Sequence, residues 1–150
     1  MARRYYQGLF RPKNPQKYKG NPTNICYRSS WEHKVMLELD NNPDVVQWAS
    51  EEGWFSIGYR HPVDGKIRRY FPDFWVKTKK PDGTFETSII EVKPLAESVA
   101  PPLRKNGSKD QRYVRKAVTY AINEAKWSAV SKYCEMKGWA FKVITEKDLR

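Results

Sequence analysis

Two strand-like runs on either side of a turn, near the middle of the chain, constrain the fold more than any other feature. Residues 66–76 and 84–92 are rich in β-branched and aromatic residues, which favour strands. The Lys80-Pro81-Asp82-Gly83 sequence between them is typical of a tight turn. The pattern predicts two neighbouring antiparallel strands.

Each of these runs carries an acidic residue in an apolar setting. Asp73 stands among aromatic residues, and Glu91 follows two isoleucines. A buried carboxylate without a partner is costly, so each is expected to face a cation or a metal ion. Side chains two positions apart on a strand share a face, so Glu91 and Lys93 are expected to point the same way. The side chain of Val92 then faces the opposite layer, and its backbone carbonyl remains free to reach a metal.

The first helix is predicted to begin at Ser29. Ser29-Ser30-Trp31-Glu32 fits the capping box, in which a hydroxyl and a carboxylate satisfy backbone N–H groups at a helix start. The apolar stripe that follows consists of Trp31, Val35, Met36 and Leu39. Glu32 lies within the arc of this stripe, so its carboxylate is expected to face the core. Glu32 is therefore either a cap alone or a cap that also takes part in a site.

The remaining elements complete an α/β pattern. Asn41-Asn42-Pro43 is expected to end the first helix, and strand-like runs follow at 45–48 and 54–59. A Pro-rich loop at 94–109 precedes a long helix at about 110–137, which Gly138 is placed to end, and a last strand at 139–144. The apolar side of that helix is predicted to be Val114, Ala117, Val118, Ala121, Ala125 and Ala129. The order predicts a mixed central sheet flanked by helices.

The first 28 residues differ from the rest, and we divide the chain into this segment and a single domain at 29–150. Residues 1–28 contain seven basic and no acidic residues, with three prolines and two glycines, which predicts an extended N-terminal arm. The aromatic residues interleaved with the charges are Tyr5, Tyr6, Phe10, Tyr18 and Tyr27. Such a mixture suits a nucleic-acid clamp, and it equally suits an arm anchored on its own domain by aromatic packing. Both can hold.

Composition excludes several classes of protein. The 150 residues carry a formal net charge of +11, so we expect a polyanionic partner, and nucleic acid first of all. No apolar run approaches the roughly 18 residues of a membrane span, and none follows the basic N-terminus as in a signal peptide. We therefore expect neither membrane insertion nor secretion. Cys26 and Cys134 are too few and too far apart for a disulfide framework or a zinc site. No GxSxG or GxxxxGK(S/T) sequence occurs, which argues against a hydrolase triad and an NTPase.

The acidic residues resemble a nuclease signature. Pro72-Asp73 and, 18 positions after Asp73, Glu91-Val92-Lys93 are similar to the PD-(D/E)xK nucleases. The resemblance implies a restriction-endonuclease-like core in which Asp73, Glu91 and the Val92 carbonyl hold Mg²⁺, for which Mn²⁺ can substitute. It also implies that Lys93 activates or orients the attacking water. In several branches an acidic residue on the first helix completes the metal site, which implies a catalytic and metal-binding role for Glu32.

A narrower resemblance extends over nearly the whole chain. The sequences at 12–20, 27–32 and 70–75, with Lys126-Trp127 and Gly138-Trp139, are similar to the head-completion nuclease family of myovirus-type tailed phages. The Tyr-Arg-Ser-x-Trp-Glu and Pro-Asp-Phe elements also resemble the amino-terminal domain of TnsA-type transposition endonucleases. The first resemblance implies action late in head assembly, on packaged DNA or its end, before neck and tail join.

Residues outside the signature are assigned more simply. Arg28 is expected to touch the scissile phosphate, or else to pair with an acidic neighbour, and one of Arg68 and Arg69 should face DNA. Lys126 could approach the phosphate, but we expect it on a solvated helix face. We expect Tyr70 and Trp75 packed in the sheet, and His33, Glu51 and Glu52 at the surface. The predicted DNA-binding residues are Arg3, Arg4, Arg11, Lys13, Lys17, Lys19, Arg28, Arg68, Arg69, Arg104, Lys105, Lys109, Arg112, Arg115 and Lys116.

The leading hypothesis is a Mg²⁺-dependent DNA endonuclease that hydrolyses phosphodiester bonds during phage head completion. Two alternatives stay open: a non-catalytic virion protein that binds DNA ends, and a structure-specific nuclease of the junction or transposition type. Asp73, Glu91 and Lys93 favour the first, because a pure binder has no need of a lysine beside two acids. The partners are then double-stranded DNA and phage portal or neck proteins, and the location is the head–neck region of the virion or the host cytoplasm.

Overall fold

A computed structural model describes residues 7–94 and 111–149. The strands are β1 (Gly8–Phe10), β2 (Ile25–Tyr27), β3 (Val45–Ser50), β4 (Ile57–Arg60), β5 (Ile67–Tyr70), β6 (Phe74–Lys79), β7 (Phe85–Val92) and β8 (Ala140–Ile144). The helices are α1 (Ser30–Asn41) and α2 (Gln111–Lys137), with short 3-10 helices at Pro15–Lys17 and Gly53–Phe55. In this part of the chain no helix has the length and apolar character needed to cross a membrane.

A mixed four-stranded sheet forms the centre, in the order β3-β6-β7-β8. β6 runs antiparallel to both of its neighbours, β3 and β7, whereas β8 runs parallel to β7. A parallel neighbour requires a crossover connection, and α2 lies between β7 and β8 in the chain. The predicted mixed-sheet α/β architecture is confirmed, and so is the antiparallel pairing across the turn at 80–83.

The single strand predicted at 66–76 is wrong. β5 ends at Tyr70 and β6 begins at Phe74, because Pro72 has no N–H to continue a ladder. β5 pairs instead with β4 in a separate two-stranded sheet. The run predicted at 54–59 is also shorter, since Gly53–Phe55 is a 3-10 helix. The break places Asp73 directly before β6.

Both helices follow their sequence signals. Ser29 caps α1 by accepting a hydrogen bond from the Glu32 N–H at 3.1 Å. α2 ends at Gly138, whose φ of 75° is favoured by glycine. The predicted apolar side of α2 is wrong in its first half, where Val114 and Val118 are exposed. The buried residues of α2 are Asn123, Val130 and Cys134, so its first three turns extend past the core of the described residues.

The described part of the arm packs against the domain. Phe10, Tyr18 and Ile25 belong to the same buried cluster as Trp48 and Phe74. Lys17 donates its ammonium hydrogens to the carbonyls of Asp40 and Asn42 at 2.8 and 2.9 Å, at the C-terminal end of α1. A cation there complements the helix dipole. The aromatic anchors predicted for this segment are therefore present in Phe10 and Tyr18.

Phe10→Ala is expected to destabilise the protein strongly. Phe10 is 4% exposed, and removing a buried phenyl group costs about 3–5 kcal/mol in transfer and cavity terms. Leu9→Ala is the matched control, because Leu9 is 56% exposed and should change stability by less than about 0.5 kcal/mol. Urea unfolding of both variants measures the difference. Equal stability of the two would show that the arm is not anchored here.

Candidate active site

The antiparallel pairing of β6 with β7 brings the two predicted acidic residues together. Phe74 is the partner of Ile90 in this ladder. Asp73 immediately precedes Phe74 and Glu91 immediately follows Ile90, so the two acids lie at the same end of the paired strands. The Asp73 carboxylate accepts a hydrogen bond from the Val92 N–H at 2.7 Å. Glu91 is 3% exposed, and Asp73 is half-buried. The site lies where β6 starts and β7 ends.

The backbone of Val92 faces this site. The Lys93 N–H donates to the carbonyl of Ile144 on β8 at 2.9 Å. Successive residues of a strand direct their backbone groups to opposite edges, so those of Val92 point away from β8 and towards Asp73. The bond between the Val92 N–H and Asp73 agrees with this direction. The Val92 carbonyl therefore has the direction expected of a metal ligand beside Asp73.

Two side chains hold the Glu91 carboxylate. The Lys93 ammonium lies 3.5 Å from one Glu91 oxygen, which confirms that the two side chains share a face. The Tyr70 hydroxyl donates a hydrogen bond to the other oxygen. Tyr70 is buried, as expected of a packing residue, but it also orients Glu91. This second role follows from the interruption of the predicted strand at 71–73, which the sequence pattern did not reveal.

The pKa values of the two acids are raised. Burial raises the pKa of Asp73 well above its usual range and the Glu91 charge adds to this, while the bond from Val92 opposes it. Burial also raises the pKa of Glu91, against the lowering effects of Lys93 and Tyr70. The Lys93 ammonium lies beside Glu91, and a further cation beside the two carboxylates would be favourable.

Hard oxygen donors of this kind suit a divalent cation such as Mg²⁺. The set consists of the Asp73 and Glu91 carboxylates and the Val92 carbonyl. Within residues 7–94 and 111–149, no three side chains of the His, Cys, Asp and Glu types converge closely enough to hold a metal. The described site therefore contains two carboxylates and a carbonyl, and Glu32 does not join them in one cluster.

Metal-free protein is expected to lose stability as the pH rises through the raised pKa of Asp73. The unfolded chain releases the Asp73 proton at about pH 4, whereas the folded protein keeps it to a higher pH. The stabilisation from the protonated carboxyl group is therefore complete below about pH 4 and is lost as the pH rises through the folded-state pKa. Ca²⁺ should bind the ionised carboxylates, and we expect a larger increase in Tm at about pH 8 than at about pH 5. Thermal melts with and without Ca²⁺ measure this, and Asp73→Asn should remove most of the effect. An equal increase at both pH values would contradict the assignment.

Glu32 stands beside the signature residues, across a cavity. The cavity has a volume of about 220 Å³. Its lining consists of Arg28, Ser29, Trp31, Glu32, Val92, Lys93 and Pro94. The Glu32 N–H donates to Ser29 as the predicted capping box requires, but the Glu32 carboxylate accepts from the Arg28 N–H at 3.1 Å, one residue before the N-cap. Burial raises its pKa, and the Glu51 and Glu91 charges contribute, whereas Arg28 opposes the shift.

Glu32→Gln separates the cap from a role in the site. The amide oxygen can still accept from the Arg28 N–H, so we expect the free energy of unfolding to change by less than about 0.5 kcal/mol. Cleavage is expected to fall by about 10-fold or more, because the charge beside the cavity is lost. Glu38→Gln on the exposed side of α1 is the control, and single-turnover cleavage is the measurement. An unchanged rate would leave Glu32 as a cap alone.

The surface positions predicted for Glu51 and Glu52 are wrong. Glu51 is half-buried and forms an ion pair with Arg28, and its φ of 49° is a left-handed value that a non-glycine residue rarely adopts. The Tyr18 hydroxyl donates to Glu52 at 2.7 Å. Arg28 and Tyr18, which donate hydrogen bonds to Glu51 and Glu52 respectively, therefore hold both carboxylates in half-buried positions. Arg28 therefore pairs with an acidic neighbour, Glu51, which was the alternative to a contact with the scissile phosphate.

The expectations for His33 and Trp75 had different outcomes. His33 is half-buried and stacks on Tyr27 with ring centroids 4.3 Å apart, so its predicted surface position is wrong. Tyr27 belongs to β2, which was not predicted as a strand. Trp75 is 5% exposed and packs in the sheet as predicted.

Lys126 does not lie on a solvated helix face, contrary to its prediction. It is half-buried, and its ammonium stands over the rings of Tyr59 and Tyr70, 5.7 and 5.3 Å from their centroids. Burial lowers its pKa and Lys93 contributes, whereas Glu91 and Asp73 raise it. The charges of the signature residues thus act on Lys126. The helical pattern alone favoured the solvated face, because the strands against which α2 packs come from distant parts of the sequence.

The predicted DNA-binding residues fall into three groups. Arg11, Lys13, Lys19, Arg28, Arg68, Arg69, Arg112, Arg115 and Lys116 are exposed. Lys17 is half-buried against the end of α1. Arg3, Arg4, Arg104, Lys105 and Lys109 lie outside the described residues. Of the exposed group, Arg68 pairs with Asp64, and Arg69 donates to the Gly53 carbonyl at 3.3 Å.

The fold and these residues together define a nuclease of the PD-(D/E)xK type. Residues 42–146 match the family described as TnsA-like endonuclease N terminal, and the chain belongs to this family. The chain is also 37% identical over 147 residues to the head completion nuclease of Enterobacteria phage T4, covering 97% of this chain and 94% of that protein. Both resemblances seen in the sequence are confirmed. The family match includes Asp73, Glu91 and Lys93.

Proposed function

We propose that the chain is a divalent-metal-dependent DNA endonuclease that acts in phage head completion, on packaged DNA or its end. The observation that carries this proposal is the meeting of Asp73, Glu91, Lys93 and the Val92 backbone at the ends of β6 and β7. The similarity to a head completion nuclease over nearly the whole chain supports the biological setting.

Asp73, Glu91 and the Val92 carbonyl would hold Mg²⁺, and Mn²⁺ could replace it. A divalent cation bound there supplies Lewis-acid chemistry, lowering the pKa of the attacking water and stabilising charge on the phosphate. Tyr70 orients one oxygen of Glu91 and leaves the other beside Lys93. The side chains are thereby fixed before DNA arrives, which reduces the cost of ordering them during the reaction.

Lys93 is the proton-handling residue of this proposal. Its ammonium is held 3.5 Å from Glu91, its side chain is 26% exposed and it lines the cavity, so it can reach a water molecule there. A lysine there can donate a hydrogen bond to the water or to the phosphate and orient the attack. A protein that only binds DNA ends would gain nothing from this placement.

The substrate is double-stranded DNA. The exposed basic residues would hold its phosphates, in accord with the net charge of +11. Head completion further implies contact with portal or neck proteins and a location in the virion or the host cytoplasm. These partners fit the similarity to the phage nuclease, and binding to purified portal or neck proteins tests them.

Cleavage of plasmid DNA by the purified chain tests the proposed function. We expect nicking with Mg²⁺ or Mn²⁺ and none in EDTA. DNA binding without cleavage under any metal would instead support the non-catalytic alternative. Cleavage of branched DNA with no cleavage of linear or plasmid DNA would support the junction-type alternative.

A further inference from the structure

Lys126 lies on the side of α2 that faces the protein. The buried residues Asn123 and Val130 stand three positions before it and four positions after it, which are helical-face spacings. The side chain therefore extends along the buried stripe rather than into solvent. It ends over Tyr59 and Tyr70, both of which are buried.

The ammonium of Lys126 has no anion in direct contact. Among residues 7–94 and 111–149, it forms neither an ion pair nor a hydrogen bond, and its close partners are the two aromatic rings. Aromatic faces attract a cation by about 0.5–2 kcal/mol but provide no lone-pair acceptor of the strength of a carboxylate or phosphate oxygen. The position of the ammonium is thus held while its three N–H donors stay available.

The location of Lys126 connects it with the active site. Tyr70, whose ring lies below the ammonium, donates its hydroxyl hydrogen bond to Glu91. The charges of Glu91 and Asp73 also act on Lys126. A cation so placed, with free donors, is suited to bind an anion that comes to the two carboxylates together with a metal. On the proposed function, that anion is a phosphate of the DNA backbone.

We propose that Lys126 is a second cationic residue of the active site, which binds the scissile phosphate from the side of α2. It complements Lys93, which lies beside Glu91. As a phosphate is cleaved, negative charge on its oxygens increases, so a donor fixed in advance contributes more to the transition state than to the bound substrate. This inference rests on the proposed function for the identity of the anion.

Lys126→Met tests the proposal, because it keeps the bulk of the stem and removes the charge. With Ca²⁺ in place of Mg²⁺, so that the phosphate can reach the site together with a divalent cation, the magnitude of the slope of log K against log salt for duplex DNA should decrease by about 0.9, the value for one lost phosphate contact. In Mg²⁺, single-turnover cleavage at saturating DNA should fall by about 100-fold, as for the loss of one transition-state donor. Lys126→Arg keeps the cation and should retain most of the slope.

Lys132→Met, an exposed cation on the same helix, is the control and should resemble the wild type in both measurements. An unchanged salt slope in Lys126→Met would overturn the proposal, and so would a cleavage rate within about threefold of the wild type. If Lys126→Met does not fold, Lys126→Gln replaces it, because it removes the charge and keeps a polar end: a slope smaller by about 0.9 supports the phosphate contact, and an unchanged slope overturns it. A wild type that binds DNA but never cleaves it would contradict the proposed function, while the salt slope would still decide the contact of Lys126.

Discussion

Asp73→Ala and Glu91→Ala are each expected to abolish metal-dependent cleavage while leaving duplex binding in Ca²⁺ largely intact. Each variant removes one of the two carboxylates that would hold the cation, and loss of a metal-site ligand of this kind should cost more than about 10³-fold in rate. On the proposed function DNA binding would depend mainly on basic residues elsewhere, so it should change little. Plasmid nicking with Mg²⁺, beside a gel shift in Ca²⁺, measures both properties.

Two further variants make this result decisive. Asp73→Asn retains an oxygen that can accept from the Val92 N–H, so its loss of activity cannot be attributed to the broken hydrogen bond. Glu86→Ala removes a half-buried carboxylate from the other end of the same strand, where it pairs with Lys142 at 3.3 Å, and should cleave normally. Near-normal nicking by Asp73→Ala or Glu91→Ala would remove the active-site assignment.

Lys93→Ala is expected to lose most turnover, by about 10²-fold or more, and yet to bind Mn²⁺. An ammonium cannot be a metal ligand, so both carboxylates and the Val92 carbonyl remain. The Lys93 charge lowers the pKa of Glu91, and its removal should shift Mn²⁺ binding to higher pH. Titration calorimetry and single-turnover cleavage measure the two effects.

The matched control for Lys93 is Lys142→Ala. Lys142 lies on the neighbouring strand β8 and pairs with Glu86, away from the cavity. It should leave both cleavage and Mn²⁺ binding unchanged. A Lys93→Ala protein that cannot bind Mn²⁺ at any pH would show that Lys93 organises the metal site rather than the attacking water.

Local sequence signals predict the elements that hold the site. The turn at 80–83 pairs β6 with β7, and strand periodicity puts Glu91 and Lys93 on one face. The capping sequence at Ser29 sets the start of α1 and the place of Glu32. These signals are local, because each depends on residues a few positions apart.

The features that sequence reasoning missed depend on distant parts of the chain. Tyr70 reaches Glu91 because the predicted strand is interrupted at 71–73 and β5 pairs with β4. Glu51 and Glu52 are drawn inward by Arg28 and Tyr18, more than twenty positions earlier. Lys126 faces the site because of the way α2 packs on the strands, which a helical pattern does not specify.

The N-terminal arm shows how one segment can satisfy two interpretations. Phe10 and Tyr18 anchor it to the domain, while Arg11, Lys13 and Lys19 stay exposed. Packing uses Phe10 and Tyr18, and the proposed DNA contact would use other side chains of the same segment. Deleting residues 1–19 would remove both kinds, so single substitutions separate the two roles more cleanly than truncation.

The central claim is that Asp73, Glu91 and the Val92 carbonyl bind one divalent cation. Anomalous diffraction from crystals soaked in Mn²⁺, under conditions where the protein cleaves DNA, tests it most directly. The claim predicts a peak bonded to both carboxylates and to the Val92 carbonyl, and no peak there in Asp73→Ala crystals. An ordered site without a peak in the wild type, or Mn²⁺ bound by other residues, would contradict it.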